Sequence, residues 1–128
     1  MPPEDSQYPA QWTRIAEKDL RRVQKLLADY DPELAGFCLQ QCVEKFLKAA
    51  LLSKGWKLRR IHSLDTLLDD LIPFDDFFSQ FRLICIRITA FYFSERYPSL
   101  ETTITEKDVQ DALQSILPLI EKIRQLLK

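Results

Sequence analysis

The stretch Phe37–Leu68, FCLQQCVEKFLKAALLSKGWKLRRIHSLDTLL, decides the fold. Its first part is apolar around most of a helical circumference. Leu34, Phe37, Cys38, Cys42, Phe46, Ala49 and Ala50 make one broad face, and Leu39, Val43, Leu47 and Leu51 make another. Such a helix needs neighbours on more than one side, so it is expected at the centre of a bundle or shared with a subunit interface. Gln40, Gln41, Glu44, Lys45 and Lys48 interrupt this apolar surface with polar and charged groups. Lys54-Gly55 is a stop signal, a cation in the last turn and a glycine beyond it. A basic connection WKLRRI follows, and then His62, the chain's only histidine, before a short helix over Leu64–Leu71 that Pro73 closes.

Working outward, apolar residues from Trp12 through Ile15, Ala16, Leu20, Val23, Leu26 and Leu27 to Tyr30 form one stripe at helical spacing. This predicts a first helix over residues 10–30, broken by Asp31-Pro32, with Pro32 suited to the first turn of the second helix. Residues 1–9 read as a flexible arm. A fourth helix is expected over residues 76–93, opened by Asp75-Asp76 and carrying Phe77, Phe78, Phe81, Ile84, Cys85, Ile88 and Phe91. Thr105 and Asp108 resemble a capping box at the head of a fifth helix, residues 106–127, with Pro118 inside it. The expected fold is all-α: an up-and-down bundle of four long helices plus a short one, occupying residues 10–128. With two glycines in 128 residues, hairpin-rich β architecture is disfavoured.

Composition narrows the function classes. A net charge of −1 is unlike that of a protein gripping many phosphates, so only a local basic patch is expected. Three cysteines and a polar, proline-bearing start (MPPEDSQYPAQW) point to a reducing compartment, and the cytoplasm is the expected location. No apolar run approaches the ~20 residues that span a bilayer, so no membrane partner is expected.

The segments QQCVEKFLKAALL, HSLDTLLDDL, SERYPS and TEKDVQDALQSILPLIEKIRQLL, in this order, resemble a HEPN domain (higher eukaryotes and prokaryotes nucleotide-binding) over Trp12–Lys128. The resemblance implies a helical bundle and a nucleotide or RNA ligand. It also implies a homodimer working with a separately encoded minimal nucleotidyltransferase, in a pair of toxin–antitoxin type. Many HEPN proteins are metal-independent ribonucleases that use an Arg followed after four to six residues by a His. Counting back from His62, those positions hold Gly55, Trp56 and Lys57, so the motif is absent. A non-catalytic accessory protein is therefore the preferred reading. The alternative is a ribonuclease toxin with a degenerate site, in which Lys57 or Arg96 replaces the missing arginine.

The candidate ligand-binding residues are Lys45, Lys48, His62, Arg96 and Tyr97. An imidazole moves protons near neutral pH. His62 has an alternative use as a cap on the third helix or a partner of a neighbouring backbone group. An arginine pairs with phosphate through two bonds and a tyrosine stacks on a base. Pro98 forces Tyr97 out of helical geometry, placing Arg96 and Tyr97 where a helix hands over to a loop. Lys45 and Lys48, one turn apart, either pair with Glu44 and nearby acids or line a groove with His62 and Arg96 that holds a phosphate. Cys38, Cys42, Cys85 and His62 lack a short-loop zinc spacing, and buried core cysteines are the expectation, with no metal and no cofactor. Phe74, Phe78 and Phe93 are candidates for an exposed face that a second subunit covers.

Overall fold

In the computed structural model, residues 6–96 and 103–128 are described, the side chains of 94–96 excepted. Five α-helices follow one another: α1 (Pro9–Ala28), α2 (Pro32–Ser53), α3 (Leu64–Leu71), α4 (Arg82–Arg96) and α5 (Glu106–Leu126). The all-α expectation holds, with no strand among the described residues. No helix among these residues is long and apolar enough to cross a membrane.

Helix α2 is central and packs against α1, α3, α4 and α5. From Cys42 to Leu51 every residue is buried, so its two apolar faces both have cover. Phe46, Leu39, Leu47 and Leu51 are fully buried there. They share one core cluster with Val23 of α1, Leu67 and Leu68 of α3, Ile88 of α4, and Ile116 and Ile120 of α5. Gly36 permits a close approach of α4: a Cβ at this position would stand 3.1 Å from Cγ of Phe91.

The ends follow local chemistry. Pro9 and Pro32 occupy first turns, where the missing N–H has no helical partner to lose. The Asp31 carboxylate accepts from the Leu34 N–H, and Gly55 leaves α2 with a φ of 84°. Thr105 and Asp108 make the full reciprocal capping box of α5. Within the segment read as an arm, Ser6 is tied down: its carbonyl accepts from Nε1 of Trp12 and its hydroxyl donates to Gln11.

The structure departs from expectation in two places. The fourth helix does not run unbroken from residue 76. Two 3₁₀ segments, Ile72–Phe74 and Asp76–Phe81, precede α4. The tighter winding aligns side chains three apart, which turns Phe78 and Phe81 together into the core. Phe78 is therefore fully buried and unavailable for subunit contact, whereas Phe74 and Phe93 are 53% and 44% exposed.

Charge is also built into the packing. Nζ of Lys45 on α2 lies 2.5 Å from Oδ2 of Asp19 on α1, with both side chains almost wholly buried. Arg22 holds the other Asp19 oxygen at 2.7 Å. Arg124 of α5 grips Glu17 of α1 through two bonds. Removing one partner of a buried pair strands a charge, so Asp19→Ala is expected to lower unfolding free energy by about 3–5 kcal/mol in denaturant titration. The double change Asp19→Leu with Lys45→Met is expected to recover most of that loss.

Candidate functional site

The second buried ionic group of α2 reaches the surface at His62. Glu44, almost fully buried, receives three neighbours. Nε2 of Gln40 donates to its Oε1 at 3.2 Å, Nζ of Lys48 to its Oε2 at 3.2 Å, and Nδ1 of His62 meets Oε1 at 2.8 Å. Gln40, Glu44 and Lys48 stand four residues apart, hence in one row along the helix. Gln40 also donates to the His62 carbonyl at 2.8 Å, fixing the backbone as well as the ring. Lys48 sits over the Trp12 ring, 5.4 Å from its centroid. No buried side-chain nitrogen or oxygen among the described residues lacks a partner.

Above this network stand three rings. Tyr92 of α4 stacks on Phe37 of α2, at 5.6 Å and 18°, and on His62, at 5.4 Å and 14°. Phe93 meets Tyr92 edge-on. Tyr92 is buried, whereas the His62 side chain is 53% exposed. Of the three rings Tyr92 alone is buried; Phe37 is half-buried and the imidazole meets solvent.

The structure thereby separates the sequence candidates. Lys45 and Lys48 are each 4% exposed and face Asp19 and Glu44, so their charges are balanced inside the protein rather than presented on a groove wall. His62 does not cap α3 with its ring. That ring is turned onto Glu44, and the first N–H of α3, from Leu64, donates to the hydroxyl of Thr89 on α4 at 3.0 Å. Arg96 is the last residue of α4, one helical turn beyond Tyr92, and Tyr97 lies outside the described residues. Phe37, Tyr92 and the anchoring role of Glu44 were not legible as site residues. The four-residue spacing of Gln40, Glu44 and Lys48 carried a signal for a buried polar row, but Tyr92 sits in an apolar run with no local mark.

The cysteines stand apart from this site. Cys42 and Cys85 are fully buried in the core cluster and Cys38 is half-buried. Among the described residues no group of three or more His, Cys, Asp or Glu could hold a metal ion. Burial pushes the Cys85 thiol up to about 12, and burial with the nearby Asp19 raises Cys42 and, less deeply placed, Cys38. Thiolate is the reacting form, so folded protein at neutral pH is expected to resist iodoacetamide at Cys42 and Cys85. All three should alkylate once the chain is unfolded in denaturant, as mass spectrometry would count.

The crystal structure of TT1696 from Thermus thermophilus is similar at 25% sequence identity and a TM-score of 0.83, over 93% of this chain and 98% of that one. A comparison with curated proteins finds no match. The HEPN domain family matches residues 10–126, a span that takes in all of α2 to α4, the Glu44–His62 contact and the ring column, and on that match the chain belongs to the HEPN domain family.

Proposed function

We propose that this HEPN domain is a non-catalytic nucleotide-binding protein that acts as a homodimer beside a separately encoded minimal nucleotidyltransferase, in a pair of toxin–antitoxin type. One observation carries the nucleotide reading: a half-exposed imidazole, held at its edge by buried Glu44, stacks on the buried ring of Tyr92. A partly exposed ring held in a fixed plane suits a nucleobase, whose flat face gains roughly 1–3 kcal/mol on such a platform. Of the five sequence candidates, His62 is the direct contact. Arg96 and Tyr97, at the end of α4 and just after it, supply the phosphate and stacking contacts. Lys45 and Lys48 act from beneath, holding Asp19 and Glu44 in place.

The homodimer reading is supported by the outer face of α4. Leu83 is 82% exposed, Ile86 43% and Phe93 44%, and Ala90 is exposed between them. Their spacings of three, four and three residues draw an apolar seam along one side of the helix, the pattern by which two helices pack together. Phe93 at the end of this seam touches Tyr92, so a second copy on the seam would border the ring column.

Calorimetric titration with ATP tests the ligand. His62→Ala and Arg96→Ala are each expected to weaken binding about tenfold, the worth of roughly one well-made contact, in protein that circular dichroism shows to be folded. If neither variant alters affinity, the reading fails. Purified protein is expected to leave tRNA and mRNA intact; cleavage lost in His62→Ala would instead support the ribonuclease alternative.

Sedimentation tests the assembly. The wild-type chain is expected to sediment as a dimer, and Leu83→Glu with Ile86→Glu as a monomer, because charges in an apolar seam lose their hydration without gaining partners. A pull-down from the native host that yields no nucleotidyltransferase would remove that partner from the proposal.

A further inference from the structure

The reading of this site as a nucleotide site leaves open which part of the ligand His62 meets, and the buried network beneath the ring bears on that choice. A histidine ring has two nitrogens, and the hydrogen bond at one fixes the character of the other. Here Nδ1 lies 2.8 Å from Oε1 of Glu44. The same carboxyl group takes an amide N–H from Gln40 on Oε1 and the Lys48 ammonium on Oε2, so toward all its neighbours it accepts. The proton in the contact with His62 therefore sits on Nδ1. In the neutral ring Nε2, at the far edge, then carries the lone pair, and it has no partner among the described residues. The ring's placement is held twice over, by Glu44 at Nδ1 and by Gln40 at the His62 carbonyl.

We infer that Glu44 is a positioning residue that makes Nε2 of His62 a hydrogen-bond acceptor for a ribose hydroxyl of a nucleoside whose base stacks on the outer face of the imidazole. Two observations select this arrangement. Nε2 in the neutral ring accepts a hydrogen, which a phosphate oxygen does not offer and a hydroxyl does. Among the described residues, Tyr92 is the sole ring stacked on His62, and the imidazole side chain is 53% exposed, which leaves ring surface for a second stacking partner. A base stacked on the ring face cannot also reach the ring edge in the same plane, whereas the attached sugar hangs beside that edge. The assignment makes the site selective for nucleosides that keep their hydroxyls, and it places phosphate recognition away from His62.

The single histidine makes the test direct, since imidazole ¹⁵N resonances come from one residue. The neutral ring of the free protein is expected to carry its proton on Nδ1. Adenosine should shift the Nε2 resonance, and 2′,3′-dideoxyadenosine should bind about tenfold more weakly and leave Nε2 unmoved. Replacing the buried pair with Glu44→Gln and Lys48→Met should release the tautomer and abolish discrimination between the two nucleosides. His62→Phe keeps a stacking ring without the acceptor and, in protein that circular dichroism shows to be folded, should bring adenosine down to the affinity of the dideoxynucleoside. A proton on Nε2 in the free protein, equal binding of the two nucleosides, or inorganic phosphate protonating Nε2 would overturn the inference while leaving nucleotide binding intact. No binding of adenosine or ATP would overturn both.

Discussion

The charged groups in the middle of α2 could not stay buried unless each met an opposite charge or a hydrogen-bonding partner, because an isolated ion in a protein interior costs several kcal/mol. Lys45 is answered by Asp19 across the α1–α2 contact, and Lys48 by Glu44 one turn back on the same helix. The remaining acceptor capacity of Glu44 goes to Gln40 and His62. These demands fix more than local geometry. The pair with Asp19 sets the register of α1 on α2, and the contact with His62 pulls the connection between α2 and α3 back onto the central helix. The apolar packing around Phe46 and Leu47 gives the bundle its cohesion, and the ion pairs decide how its members align.

The same requirement shapes the surface at His62. A network that is satisfied throughout holds its members in single positions, since any rotation would strand a buried donor or acceptor. His62 is the point at which that rigidity reaches solvent, and stacking on Tyr92 fixes the ring plane as the Glu44 contact fixes its edge. Lys45 and Lys48 are already spoken for by Asp19 and Glu44. That accords with a chain of net charge −1, which lacks the excess of free cations that a phosphate-gripping surface carries.

Most of the helical layout was legible because it depends on neighbours in sequence. The start of α2 at Pro32, the limits of α3 at Leu64 and Leu71, and the capping box of Thr105 and Asp108 all rest on interactions within a few residues. The start of α4 was not legible, since helical periodicity does not distinguish α from 3₁₀ winding over six residues. The apolar demand of Phe78 and Phe81 on the core settled it. Among the site candidates, His62 stood out as a unique titratable group. The lysines were ambiguous, because the acid that neutralises Lys45 lies 26 residues away in sequence.

By itself the sequence determined the number and order of the helices, the central place of α2 and the all-α class, through the 3.6-residue period and local caps. Only tertiary structure decided which polar residues are buried and which meet solvent. Periodicity assigns a residue to a face, but the partner that makes burial of a charge tolerable can come from another helix, as Asp19 does for Lys45. The union of Phe37, Tyr92 and His62 from two helices and a connecting segment has the same origin: ring stacking acts across space, and nothing in the chain's linear order records it.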